Sequence, residues 1–303
     1  MNTTETKNHS KRKIALFCAA GLALGALADG NNATAGAELE LKENGKVFSA
    51  EVSLDFCSKF LSYGLVDNPD PIMTPGASIT FFEPLSFDMA WIFDTTHWGR
   101  KGGYRDRRWQ YQELDIGAGL SHEFTPENWR FLPTAVELGV GYMYEYHPRF
   151  SKAKSDGVNG NPDTQFVTMD ISMPDLWIEP EVKLEWDIDR DHGFYASFGV
   201  GHTFNLIGAG EDSVLDLELR LAQGLGSEDR NQSYLGEAKW GLMDTSLTVS
   251  LDYKPVSWLS ISPYVAYSDY LFDSTLRDAA RDYCENWDES WNIIGGITVT
   301  ASF

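Results

Sequence analysis

Cysteine is scarce: three in 303 residues, too few for a disulfide-built scaffold. Cys and His spacing also fits no structural zinc site. Bases are in deficit, with 24 Lys and Arg against 45 Asp and Glu, a formal net charge of −21. That balance excludes nucleic acid as a partner, since its phosphates would be repelled, and it disfavours bare contact with anionic lipid heads. Long apolar runs are also missing. Beyond the N-terminus nothing approaches the roughly 20 residues of a membrane helix, and mean hydropathy is −0.30. The body of the chain contains no helical span.

At the N-terminus, Lys11, Arg12 and Lys13 precede the apolar run "IALFCAAGLALGALA", which closes on Ala26, Leu27 and Ala28. Charge, length and small residues at the end mark residues 1–28 as a secretory signal peptide, with Cys18 an ordinary residue of its apolar part. Cleavage after Ala28, Ala35 or Ala37 fits equally. Removing 1–28 takes away Lys7, Lys11, Arg12, Lys13 and Glu5, a net +3, so the charge moves from −21 to −24. Residues 29–46 read as a periplasmic tail and 47–303 as the folded body. Cys57 and Cys284 survive processing, in a compartment where disulfides form.

What fills the body is alternation with a period of two. In "VFSAEVSLDF", Phe48, Ala50, Val52, Leu54 and Phe56 share a face opposite Ser49, Glu51, Ser53 and Asp55. The pattern recurs at 85–94, 114–124, 132–146, 176–188, 194–204, 214–222, 234–242, 245–255, 259–270 and 291–303, with a shorter strand at 76–82. About 12 two-faced strands, most near the 9 to 11 residues that cross a bilayer when tilted, form an even-numbered set of the outer-membrane type. Links after even strands are mostly short, as in "FEPL" at 82–85, "DRDHG" at 189–193 and "YKPVSW" at 253–258. Long links, at 62–75, 95–109, 147–165 and 271–290, follow odd strands. Two links break the rule: "GLMD" at 241–244 is tight for an outer connection, and 223–232 is long for an inner turn.

The polar faces are too polar for a dry core. Across 177–188, Glu179, Glu181, Lys183, Glu185 and Asp187 oppose Ile178, Pro180, Val182, Leu184, Trp186 and Ile188. Burying such a face without water strands charges at several kcal/mol each. A soluble β-sandwich would pack the apolar faces together instead, and alternation alone does not separate the two folds. Aromatic placement favours the barrel: Tyr142, Tyr144 and Tyr146 crowd one strand end, and Trp258 and Phe303 fall at opposite ends, as in interfacial girdles. A closed barrel also gives the last strand a partner, the 47–61 segment. The terminal Phe303 after alternating apolar residues resembles the assembly signal of bacterial barrel proteins, which implies delivery by the barrel insertion machinery.

The stretch "VSLDFCSKFLSYGLVDNPDPIMTPGASITFF" at 52–82 resembles the opening of the TorF-like porin family of bacterial outer-membrane β-barrels, through Phe60, Tyr63, Gly64, Asp70 and Pro71. "GGITVTASF" at the end resembles the family more loosely. Tyr63 stands where members often carry Arg, with Lys59 the nearest base, so the resemblance implies the fold more than a binding role for this loop.

If alternation assigns the faces, Glu51, Asp55, Asp88, Asp115, Glu137, Glu179, Glu181, Lys183, Glu185 and Glu218 line the lumen, joined by Glu145, Asp216, Asp244 and Asp252. Carboxylates around a confined aqueous path favour cations; a paired, closed polar plug is the other outcome. The 95–109 loop carries the opposite sign on Arg100, Lys101, Arg105, Arg107 and Arg108, suited to the acidic wall if folded inward or to lipopolysaccharide phosphates if outside. In the 271–290 link, Thr275 and Asp278 form a capping box, and Leu276, Ala279, Ala280, Tyr283 and Trp287 recur at helical spacing. Cys284 on that helix and Cys57 on the lumen side of strand 1 are predicted to join in a disulfide, with two separate thiols as the alternative.

Catalytic signals are weak. Ser121, His122 and Glu123 are adjacent on a strand and point to opposite faces, so they build no relay. His202 reads as a generic strand histidine. "DIDRDHG" at 187–193 echoes a calcium loop, but Phe198 takes the place of the bidentate acid. No cofactor is implied. The sequence thus predicts an all-β, transmembrane antiparallel up-and-down β-barrel of about 12 strands in the outer membrane of a Gram-negative cell. The activity it implies is non-enzymatic, porin-like passage of small hydrophilic, cationic solutes. A barrel enzyme acting on lipid and a sealed structural or adhesion barrel are the alternatives.

Overall fold

The computed structural model describes residues 48–81, 85–95, 110–147, 163–208, 213–283 and 290–303. The signal peptide at 1–28 and the tail at 29–46 lie outside them. The strands are β1 Phe48–Cys57, β2 Phe60–Ser62, β3 Leu65–Asn68, β4 Ile72–Phe81, β5 Leu85–Asp94, β6 Gln110–Phe124 and β7 Val136–Tyr146. They continue as β8 Thr164–Ser172, β9 Glu181–Asp187, β10 Phe194–Ile207, β11 Leu215–Gly226, β12 Gly241–Val256, β13 Leu259–Asp269 and β14 Asn292–Ser302. Helix α1 spans Glu228–Leu235 and α2 spans Ser274–Tyr283.

All strands but β2 and β3 form one antiparallel sheet of 12, each paired with its neighbour in sequence, and β1 closes the ring by pairing with both β4 and β14. At the seam Glu51 pairs with Ser302, and the backbone of Ala50 exchanges hydrogen bonds of 2.9 and 2.7 Å with Phe303. This is the all-β up-and-down barrel that alternation together with aromatic placement predicts. Strand direction alternates, so the links after β4, β6, β8, β10 and β12 share an end with Phe303, the terminal end. Those after β1, β5, β7, β9, β11 and β13 lie at the opposite, loop end.

The predicted strand number is reached through two offsetting differences. The segment 164–172, which lies between the predicted strands at 132–146 and 176–188 and was assigned to neither, is strand β8. The predicted strand at 234–242 does not exist; its residues end α1 and begin β12. Ser227 caps α1 by accepting from the Arg230 N–H, Glu228 and Asp229 suit its first turn, and Gly236 at φ 76° closes it. Both irregular links thereby disappear: "GLMD" at 241–244 opens the long strand β12, while 223–232 holds the end of β11 and the start of α1. "DRDHG" at 189–193 moves from the short-turn end to the loop end.

The strands of the ring present apolar side chains outward: Leu54 and Phe56 on β1, Phe87 on β5, Ile116 and Leu120 on β6, Phe198 and Val200 on β10, Leu247, Val249 and Leu251 on β12, all exposed. Aromatics mark both rims. Trp129, Phe131, Trp177 and Trp258 are exposed at the terminal end, and Trp186, Trp240, Phe272 and Trp291 at the loop end. Packing is instead concentrated inside the loop end, where the β2–β3 hairpin folds into the barrel. Phe60, Leu61 and Val66 of the hairpin pack on Cys57, Ile72, Ile92 and Ile294 of the wall. Leu65 packs on Met243, Tyr270 and the α2 residues Leu276 and Ala280. A β-bulge prepares this second cluster: between Gln223↔Thr245 and Leu225↔Leu242, both Met243 and Asp244 oppose the single residue Gly224 and turn inward.

Candidate functional site

The barrel interior is the candidate site, and strand register decides what lines it. On the β1, β4 and β5 wall the acids are held by hydroxyls. Asp55 accepts from Thr298 Oγ1 at 2.8 Å and Tyr264 OH at 3.3 Å, Glu51 accepts from Ser302 at 3.5 Å, and Asp88 shares their inward face. Across the ring the acids are paired with bases. Arg220 bridges Glu181 at 3.0 Å and Glu218 at 2.9 Å, with Lys183 3.7 Å from Glu181. Lys254 lies 3.1 Å from both Asp216 and Asp252. Glu137 faces inward on β7, accepting from Ser172 at 3.1 Å. The interior is thus divided into a hydroxyl-bonded acidic wall and an ion-paired wall.

Three predicted lining residues occupy other settings. Glu179 is not on a strand: it sits in the 173–180 turn at φ 37° and accepts from the Thr203 N–H at 3.0 Å, because Pro180 ends the turn just before β9 starts. Asp115 is inward but only 1% exposed, packed instead of bathed. Glu185 is engaged by the hairpin. The basic cluster Arg100, Lys101, Arg105, Arg107 and Arg108 lies outside the described residues, as does Cys284. Cys57 is buried on the lumen side, its Sγ 3.2 Å from the Lys59 carbonyl.

The hairpin tip reaches the far wall. Tyr63 and Gly64 form a two-residue turn with φ 51° and 78°, both left-handed as the twist of a tight hairpin requires. A Cβ at Gly64 would lie 2.6 Å from Asp244 Cβ, so glycine is needed for the approach as well as the turn. Tyr63 OH donates to Glu185 on β9, its ring centroid is 4.8 Å from that of Tyr195 and 5.1 Å from that of Tyr234, and Tyr270 OH donates to its carbonyl at 2.6 Å.

Arg230 of α1 organises this contact. Wholly buried, it lies 3.0 Å from Glu185 and 3.6 Å from Asp191. Its guanidinium carbon is 4.9 Å from the Tyr63 ring centre, 5.2 Å from Tyr234 and 5.3 Å from Phe166. Burial opposes its charge, but Tyr63, Glu185, Tyr234 and Asp191 more than offset that and raise its pKa. Burial likewise pushes the Tyr63 phenol well above its ordinary value, so it stays a donor. Arg230, caged by rings and carboxylates, holds a strand-like insertion to the opposite side of the barrel.

Arg230 escaped the sequence reading because its helix was assigned to a link and a strand. The signal was present in Ser227, Glu228, Asp229 and Gly236, a start and stop with eight residues between them. A second overlooked group is Glu113, Glu145 and His147, whose ligand atoms lie within 4.8 Å of one another. His147 follows the last residue of β7, in what was read as a link.

The catalytic triplet does not assemble. Ser121 and Glu123 face inward, whereas His122 faces outward with its ring 4.7 Å from Phe124. His202 Nδ1 sits 2.6 Å from the Trp177 carbonyl, its ring among Trp177 and Phe204, on the outward face toward the terminal end.

No family model and no curated protein matches the chain. It is similar in structure to the COG4313 outer membrane channel from Pseudomonas putida F1, at 10% identity and TM-score 0.44 over 87% of this chain and 97% of that one. Pseudomonas putida OprB is matched at 9% identity and TM-score 0.35, over 79% of this chain and 61% of that one. The Acinetobacter baumannii outer membrane protein Omp33 is matched at 8% and 0.35, over 84% and 97%. The chain therefore spans less than two thirds of OprB, and with every TM-score below 0.5 the likeness adds nothing to the barrel that strand pairing establishes.

Proposed function

We propose that the chain is a bacterial outer-membrane barrel acting as a porin-like channel for passive passage of small hydrophilic solutes, with a preference for cations. The observation that carries this is the pairing of two solvents across one wall: exposed Leu, Ile, Val and Phe outside, hydroxyls and carboxylates inside. An apolar belt around a whole ring has no place in water, while strands of 10 to 16 residues such as β1 and β12 are long enough to cross a bilayer when tilted. Rims of Trp and Phe at both ends fit the two lipid interfaces. The resemblance of 52–82 to TorF-like porins supports the same reading. Lipid, lipopolysaccharide and the barrel insertion machinery are the partners it entails, and no enzymatic step is assigned.

Cation preference follows from charge. Inward bases Lys183, Arg220 and Lys254 are each engaged by acids, whereas Glu51, Asp55 and Asp88 are countered by hydroxyls alone or by none. Conductance of the purified protein in planar bilayers under a salt gradient tests this. A reversal potential of cation sign is expected, an anion sign removes the preference, and a flat trace removes the channel.

A sealed barrel is the second reading, favoured by the hairpin and α2 packing that fills part of the loop end. Deleting residues 60–68 separates the two. Conductance gained only on deletion identifies a plug, and conductance present beforehand identifies a channel.

A further inference from the structure

The loop end of β6 and β7 carries a cluster that neither the channel reading nor the hairpin uses. Asp115 pairs with Glu145 across the two strands, and Leu114 with Tyr146, so the next inward positions, Glu113 and His147, also meet. Glu113 Oε2 is 3.1 Å from His147 Nε2, and one ligand atom from each of Glu113, Glu145 and His147 lies within 4.8 Å of the other two. The His147 backbone is pinned, its N–H donating to Asp163 Oδ1 at 2.9 Å while Tyr144 OH donates to the other oxygen at 3.5 Å.

A fourth residue points to a ligand. Asp115 is 1% exposed, its carboxyl is within hydrogen-bonding reach of Glu113, and its Oδ1 has no hydrogen-bond partner. Buried carboxyl oxygens are rarely left so. Arg230 exerts only a through-space charge effect on Glu145, and its ion pairs are with Glu185 and Asp191. Three carboxyl groups pressed together with so little positive charge need either shared protons or a cation between them.

We infer that Glu113, Glu145 and His147, with Asp115 beside them, form a binding site for one divalent transition cation of the Zn2+ or Mn2+ kind on the inner wall. An imidazole among carboxylates is the donor set of those ions; Ca2+ and Mg2+ take oxygen. His147 supplies the nitrogen, Glu113 and Glu145 supply oxygens and neutralise the ion, and the buried Asp115 carboxyl beside Glu113 adds negative charge next to it. Nothing in this depends on whether the barrel conducts.

Full-length protein in detergent, stripped with EDTA and titrated calorimetrically with Zn2+, tests the site. One Zn2+ per chain is expected, with affinity reduced at least about tenfold in His147→Gln and in Glu113→Gln and unchanged in His202→Gln. No saturable binding, or binding undiminished in both site variants, overturns it. X-ray absorption of the zinc-loaded wild type needs no variant to fold: a mixed nitrogen and oxygen shell with a single imidazole is expected, and an all-oxygen shell or several imidazoles overturns the assignment.

Discussion

Replacing Arg230 with Met removes charge while keeping much of the aliphatic volume, and the surroundings define the effect. Glu185 and Asp191, at 3.0 and 3.6 Å, lose their cation in a setting where the arginine side chain is fully buried. Breaking a buried pair by removing one partner costs about 3 to 5 kcal/mol, because the orphaned charge stays behind. Loss of the guanidinium over Tyr63 and Tyr234 adds about 0.5 to 2 kcal/mol. Part of this falls on the barrel and part on seating of the hairpin, whose Tyr63 shares Glu185 with Arg230. If 3 kcal/mol falls on the hairpin, the ratio of released to seated forms rises by about two decades. Heat-dependent migration on a detergent gel reads the first effect as a lower conversion temperature. Planar-bilayer recording reads the second as longer or larger openings. Adding Glu185→Met to Arg230→Met should recover part of the lost stability, since Glu185 is then no longer an orphaned charge and only Asp191 keeps one. Arg230→Met with unchanged conversion temperature and unchanged conductance would refute the latch.

Gly64→Ala should act in the same direction by geometry alone. A Cβ at φ 78° and 2.6 Å from Asp244 is expected to cost about 1 to 3 kcal/mol and raise conductance, and wild-type behaviour would place the hairpin tip elsewhere. Val249→Arg puts a charge on the middle of the apolar face of β12, where a membrane barrel loses about 2 to 4 kcal/mol. Refolding into bilayers should show that loss, and a neutral result would argue for water outside. Asp273 accepts from the N–H groups of Thr275 and Leu276 and from Lys239, capping α2. Burial alone would raise its pKa, but the bond from Lys239 and these N–H groups outweigh burial and hold it below the ordinary value. Its stabilisation is therefore complete above the unfolded pKa of about 3.9 and lost as pH falls through the lower native value. Hydrogen exchange across 274–283 should accelerate, beyond the intrinsic change, only in that acid window. Asp273→Ala should flatten the dependence and cost about 1 kcal/mol at neutral pH.

Faces were more legible than boundaries. Alternation alone separates Leu54 and Phe56 from Asp55 and Cys57, because a strand has only two sides and one of them is greasy. Strand β8 was hidden because its faces are blurred: Phe166 points inward while Gln165 points outward. The false strand at 234–242 arose where the partly buried Tyr234 of α1 and the β12 residue Leu242 mimic alternation across a helix end. For α2 the sequence located the helix but not its cap, which is Asp273 instead of a box between Thr275 and Asp278. The hairpin was invisible for a different reason. Tyr63 meets Glu185 from 122 positions away, and local pattern carries no information about a partner on the other side of a ring.

Because the hairpin runs from the first stave of the ring to the seventh, it is a spoke, and a ring with one spoke has no central axis to offer. The sector under β10 to β14 is occupied by Met243, Tyr270 and Leu276, while the sector under β4 to β8 has Asp115 and Glu145 on its wall. In a conducting barrel of this build a solute would travel off-centre at this end, with mutations in the packed half registering as lost cohesion and those in the acidic half as altered traffic.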